Sequence, residues 1–216
     1  MIETSKQIHD RLLCSDCEQI LNSRGENWVL QRLAVGYASP LYYALQGLTP
    51  VYPESSLEVY PAIENPEFDA DKIVHFALGV FFKAAAHNWL VGKRRVKLDF
   101  GPYLEPIRRY LLGEASFPTS CTLTFCLLPP TSSPKRIYNP YQWTVGECKT
   151  YSFGVIGLEF WMSVGERIPQ EYRELCFATG PNRPVVVSGH TDSFIDEKAR
   201  DVIRSGGARG KLAKRA

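Results

Sequence analysis

Residues 73–91, read as IVHFALGVFFKAAAHNWLV, are the most apolar stretch of the chain, and any fold it adopts must remove them from water. The stretch is close to the length of a membrane span, about 20 apolar residues. On a helical wheel, however, Lys72, His75, Lys83 and His87 gather into one sector. A single polar stripe bearing two lysines describes a helix packed into a protein core with one wet edge, not a bilayer-spanning helix. Asp69 or Asp71 suits its N-cap and Gly92 its C-terminus, so the sequence predicts a helix from about residue 70 to Trp89. With 216 residues, 44% of them hydrophobic and 22% charged, the chain can bury one sizeable core around it. That composition excludes disorder throughout. The opening Met-Ile-Glu-Thr-Ser-Lys lacks a basic-then-apolar signal region, so a cytoplasmic location is expected, with no role in a membrane.

The flanks of this segment differ in character. Residues 18–33 show helical spacing, with Ile20, Leu21, Val29, Leu30 and Leu33 apolar and Gly25 as a potential break. Pro40, Pro50, Pro53, Pro61 and Pro66 mark a connecting segment with short extended pieces. A second helix is predicted over residues 103–112, with Pro106 tolerated in its first turn and Gly113 as its stop. After Pro118, residues 119–128, 136–139, 151–164, 176–179 and 185–188 are rich in β-branched and aromatic residues and read as strands. Ser193 and Asp196 form a capping box for a short C-terminal helix over 194–205. Helices first and strands after make an α+β domain over residues 1–205: an N-terminal helical unit (1–35), two core helices, an antiparallel sheet and the short last helix. Residues 206–216, with Arg209, Lys211, Lys214 and Arg215, read as a flexible basic tail.

Cys14-Ser15-Asp16-Cys17 carries the clearest chemistry. Two thiolates two residues apart, at a turn leading into a helix, can aim both sulfurs at one point and supply two of the four ligands of a tetrahedral zinc site. By spacing alone, a chance pair of reduced cysteines serves equally. A thioredoxin-type redox pair is disfavoured, because no βαβ pattern surrounds it. Cys121, Cys126, Cys148 and Cys176 stand singly among apolar residues and read as small core hydrophobes.

Thr4-Ser5-Lys6-Gln7, Leu12-Leu13-Cys14-Ser15-Asp16-Cys17-Glu18, Asn22 and Gly25-Glu26-Asn27-Trp28-Val29-Leu30 together resemble a group of bacterial proteins related to HNH endonucleases. The resemblance continues more loosely at His75-Phe76-Ala77-Leu78, His87-Asn88-Trp89, Arg109-Tyr110-Leu111-Leu112-Gly113 and Gly157-Leu158-Glu159-Phe160. It implies a zinc knuckle made by two Cys-x-x-Cys pairs. A Ser-His-x-Ile/Leu-Pro segment between the pairs would supply the general base beside a catalytic divalent metal. Cys14 and Cys17 match the second pair. The first pair and the histidine segment have no counterpart before Cys14 in this sequence. Either its start is truncated, and an upstream segment would make it a metal-dependent HNH-type endonuclease, or the catalytic half is lost. For the sequence as written, the expectation is a half zinc knuckle that is catalytically incomplete.

Further candidates follow from position. His9, five residues before Cys14, is a candidate zinc ligand or stand-in base. Glu18 and Asn22 lie one helical turn apart, where an HNH-type helix would present metal or phosphate ligands, although capping serves equally. His87 lies on the polar edge of the long helix beside His75 and Lys83, with a structural hydrogen bond as the simpler role. Lys93, Arg94, Arg95 and Lys97, with Arg108 and Arg109, make a candidate phosphate-contacting patch. Two function classes result. One is an HNH-like zinc protein that associates with nucleic acid. The other is a non-catalytic, zinc-stabilised module that binds a protein, including a homodimer whose two Cys pairs complete one shared site.

Overall fold

The computed structural model describes residues 12–33, 38–54, 57–91, 94–129, 137–145 and 148–188. His9, Lys93, the helix expected over 194–205 and the basic tail lie outside these residues. The elements run α1 (Ser15–Leu21), a π-helical turn (Asn22–Glu26), α2 (Asn27–Leu30), α3 (Pro40–Tyr43), β1 (Tyr52–Glu54), β2 (Leu57–Pro61) and α4 (Ala70–Ala86). A hairpin of β3 (Trp89–Val91) and β4 (Arg94–Val96) follows, then α5 (Leu104–Leu112), preceded by a 3-10 turn. The second half holds β5 (Cys121–Leu127), β6 (Tyr138–Val145), β7 (Cys148–Val155), β8 (Leu158–Val164), α6 (Gln170–Glu174) and β9 (Pro184–Ser188). This is an α+β architecture. Among the described residues no helix is long and apolar enough to cross a membrane.

Among the described residues the main sheet has seven strands in the order β1-β2-β9-β5-β8-β7-β6. Its neighbours pair antiparallel except β9 and β5, which run parallel with Phe125 opposite Val185. The sheet is therefore mixed, not antiparallel throughout. The last strand returns after the β5–β8 excursion and α6, and such a long connection lets it enter beside β5 in the same direction. Residues 176–179, expected as a strand, form the turn after α6. There the Phe177 N–H donates to the Leu123 carbonyl at 2.6 Å, and the apolar Cys176-Phe177 pair anchors a corner. The apolar run 151–164 is two strands, because the turn at residues 156–157 folds β8 back on β7 with Val155 opposite Leu158.

One face of the sheet is apolar and α4 lies against it. Phe125, Phe160 and Phe153 stand opposite one another on β5, β8 and β7, with ring centroids 5.2 and 4.8 Å apart in stacked pairs. Phe76 and Phe81 of α4 meet this row edge-on, at 5.6 Å from Phe160 and 5.0 Å from Phe153. The near-continuous apolarity of α4 reflects this double burial, since Ile73, Ala77, Leu78, Phe81 and Ala85 are fully enclosed. Asp69 is the N-cap, its carboxylate accepting from the Lys72 N–H at 3.2 Å. The helix ends at Ala86, three residues before Trp89, because Trp89-Leu90-Val91 pairs with residues 94–96. Helix α5 buries Ile107 and Leu111, and Gly113 closes it in the left-handed conformation (φ 78°).

The N-terminal helical run crosses the outer side of α4 at Gly25. A Cβ there would lie 2.6 Å from the Phe76 amide nitrogen and 2.8 Å from the Lys72 carbonyl oxygen. Only glycine allows that approach, and the π-helical turn at residues 22–26 brings it to the crossing. Gly25 therefore does not break the helix. Lys83 and Glu26 close the same interface with an ion pair at 3.2 Å.

Two substitutions test this packing. Phe81→Ala removes a fully buried ring at the centre of the aromatic contacts and is expected to cost roughly 3–5 kcal/mol in chemical denaturation. Gly25→Ala forces a methyl group against backbone that cannot rotate away. It is expected to cost about 1–3 kcal/mol, whereas Ser23→Ala on the exposed side should be nearly neutral.

Candidate metal centre

Cys14 is the N-cap of α1. Its extended backbone (φ −72°, ψ 164°) turns the chain into the helix, and the Glu18 N–H closes the first turn on the Cys14 carbonyl at 3.0 Å. The Cys14 sulfur accepts from the Cys17 N–H at 3.5 Å. The two sulfurs therefore share one small region at the surface, with Cys14 exposed and Cys17 half-buried. The electrostatics differ between them. The backbone N–H of Cys17, followed by its thiol, lowers the Cys14 thiol below its ordinary range. Cys17 is raised, first by the hydrogen bond that it gives to Cys14 and then by burial, while Arg108 pulls the other way. A thiolate thus forms first at Cys14, and a metal that takes both sulfurs must displace the proton between them.

Arg108, a candidate for phosphate contact by sequence, comes from α5, and no spacing along the chain marked it as a neighbour of Cys17. Glu105 fixes it with two hydrogen bonds, at 2.8 and 2.7 Å, and Glu114 approaches its guanidinium at 3.7 Å. Arg109 approaches Glu114 at 3.9 Å. Both α5 arginines are thus engaged with carboxylates, which weakens them as members of a phosphate-binding patch. Arg94 and Arg95 lie on β4, in the two-stranded sheet separate from the main one, and exposed Lys97 follows them.

Glu18 and Asn22 are half-buried where α1 passes into the π-helical turn. The Asn22 N–H donates to the Glu18 and Gln19 carbonyls, and its own carbonyl accepts from Asn27. These are roles within the helix. His87 is the extended C-cap residue of α4. His75 is buried, with Nε2 3.1 Å from the Leu111 carbonyl oxygen. Among the described residues, no group of three or more His, Cys, Asp and Glu side chains comes together to hold a metal. Cys14 and Cys17 fit zinc in ligand type and as two of four donors.

The opposite face of the sheet holds groups that sequence reasoning left aside. Glu159, 2% exposed, sits between Cys126 and Gly154 and accepts a hydrogen bond from the Tyr138 hydroxyl. A Cβ on Gly154 would overlap the Tyr138 ring, so glycine makes the room for that ring to cross. Burial, then the Glu159 charge, raises the Tyr138 hydroxyl far above its ordinary value and keeps it a donor. Tyr138, Tyr141, Trp143 and Trp161 continue as a row with centroids 5.6, 5.2 and 6.0 Å apart. The signal in sequence was one carboxylate inside the apolar run Gly-Leu-Glu-Phe-Trp-Met. A groove of about 550 Å³ lies between the start of β5 and α6, but Arg173 in its wall already donates to the Thr119 carbonyl and Glu174 accepts from Gln170.

Thiol accessibility is checked by alkylation. Cys14 is expected to react first with iodoacetamide at pH 8 and Cys17 second. Cys121, Cys126, Cys148 and Cys176, all buried, should react only after unfolding, read by peptide mass spectrometry. The chain matches no known family, no curated protein and no solved structure.

Proposed function

We propose that this chain is an HNH-like, zinc-stabilised protein that associates with nucleic acid and does not hydrolyse it. The observation that carries the reading is the Cys14 sulfur accepting from the Cys17 N–H at the start of a helix, which leaves both thiols near one point at the surface. Cys14 and Cys17 hold the metal as thiolates. The other two donors come from outside the described residues, where His9 is one candidate, or from the same pair of a second copy. Bound zinc would fix the helix start against the rest of the knuckle and add to folding free energy. Nucleic-acid association draws on β4, which carries Arg94 and Arg95, with exposed Lys97 following them; Lys93 is a further candidate outside the described residues.

The catalytic half of the HNH reading has less support. Hydrolysis of a phosphodiester needs a base to deprotonate water and a metal to stabilise the developing charge. His75 is committed to a backbone carbonyl, and no described histidine joins the thiol pair. A second reading, a zinc-stabilised protein-interaction module, is favoured by one observation. The α5 arginines that would extend a phosphate surface are paired with Glu105 and Glu114.

Elemental analysis of purified protein is expected to find zinc, at one per chain for a complete site or one per two chains for a shared one. Cys14→Ala should remove it and lower the melting temperature by several degrees. Absence of zinc from protein purified without chelator would sink the metal reading. Binding to single-stranded and plasmid DNA should weaken steeply with salt. Arg94→Ala with Arg95→Ala should flatten the log–log slope by about 2, close to one counterion per lost phosphate contact. No cleavage is expected in magnesium, manganese or nickel. Cleavage abolished by His9→Ala would restore the enzyme, and absence of salt-sensitive DNA binding would favour the protein-interaction module.

A further inference from the structure

His75 is a buried ionisable group that none of these roles uses. It is 5% exposed and lies where α4 meets both α5 and the N-terminal helical run. Its Nε2 stands 3.1 Å from the Leu111 carbonyl oxygen, which can only accept, so Nε2 carries the proton and Nδ1 the lone pair. Leu111 belongs to the last turn of α5, whose carbonyls lack partners within the helix. His75 thus caps α5 from the side. Nδ1 is buried and has no hydrogen-bond partner among the described residues. Beside the imidazole is a cavity of about 10 Å³, walled by Leu21, Glu26, Phe76, Gly79 and Lys83, at the lower limit for one water.

We infer that His75 is an acid-sensitive latch: while neutral it lets the helical run of residues 15–30 pack on α4, and proton uptake at Nδ1 releases that run. A protonated Nδ1 would be a second donor with no acceptor, carrying a positive charge inside the interface. The charged and titratable groups around it do not offset this. Arg24, from the π-helical turn, acts on the imidazole with the same sign. Glu26 is the carboxylate in the cavity wall, and it already accepts from Lys83 of α4 at 3.2 Å. From α5, Tyr110 lies 6.4 Å away between ring centroids, and its hydroxyl, raised to about 12 chiefly by burial, stays neutral; Asp71, Arg24 and Arg183 act on that hydroxyl.

The two interfaces of His75 respond differently. Its bond to Leu111 survives protonation and becomes charge-assisted, so α5 stays attached. The N-terminal run meets α4 through a glycine at each side of the crossing, Gly25 and Gly79, and water reaches Nδ1 most readily by parting these two surfaces. Burial, foremost, and Arg24 hold the imidazole below its ordinary value, against the raising effect of the Leu111 bond. The packed state therefore binds fewer protons than the opened one. Packing is complete above the ordinary imidazole value, about 6.5, and is lost as pH falls below it.

Hydrogen–deuterium exchange of the full chain between pH 7.5 and 5, corrected for the intrinsic pH dependence of exchange, tests the latch. Protection of residues 15–30 should fall by up to tenfold per pH unit below about 6.5, while β5 and the centre of α4 hold theirs. His75→Gln, which keeps a donor for Leu111 but cannot ionise, should be protected as wild type at pH 7.5 and lose the acid response. Unchanged protection in the wild type at pH 5, or an acid response that persists undiminished in His75→Gln, overturns the inference. Should the variant not fold, the His75 Cε1 proton resonance in the wild type decides. Titration below the ordinary value, in step with the loss of protection, supports the latch, and titration at the ordinary value with residues 15–30 still protected refutes it.

Discussion

The stacked phenylalanines Phe125, Phe160 and Phe153 form a continuous apolar band across three strands, and the remaining structure is arranged around covering it. Such a band in water costs about 25 cal/mol for each Å² left uncovered. One helix without a wide polar face can cover it, and α4 is that helix. Because α4 is apolar nearly all round, its outer side also needs a cover, which α5 and the N-terminal run supply. The thiol pair at Cys14 and Cys17 is held where it is because the run behind it is required for that second layer.

The sheet's two faces illustrate how alternation divides labour. Phe125, Phe160 and Phe153 point to α4, while Cys126, Glu159 and Gly154, the very next residues along the strands, point the other way. A buried carboxylate with a tyrosine hydroxyl in its reach is costly to assemble and is retained only where its partners are fixed. Here Gly154 fixes one of them, by leaving a gap that the Tyr138 ring fills.

Legibility in sequence followed the range of the interaction concerned. The Asp69 cap, the tolerance of Pro106 and the Gly113 stop are local, and each lies where chain chemistry put it. The placement of Cys14 and Cys17 at the start of a helix was equally local. The end of α4 was misplaced because Trp89-Leu90-Val91 continues a helical apolar pattern, and only pairing with β4 makes it a strand. Cys176-Phe177 looked like a strand because a buried corner and a buried strand have the same composition. Arg108 beside Cys17, and Tyr138 upon Glu159, join residues far apart in the chain, and no periodicity records such a meeting.

The order of the strands has a consequence for how the molecule comes into being. The last strand, β9, lies inside the sheet, between the early β1–β2 hairpin and the β5–β8 meander. Until residue 188 has been synthesised, the two halves have no strand in common, and the facing edges of β2 and β5 stay unpaired. Assembly of the sheet is therefore a non-local, late event, the kind of step that slows folding as loop closure lengthens. A growing chain on the ribosome would carry both open edges from the completion of β5 at Leu127 until β9 is made, the arrangement in which strands of neighbouring chains can add to one another. Pro184 lacks an N–H, and it stands at the first residue of β9, the one strand position where that missing donor costs least.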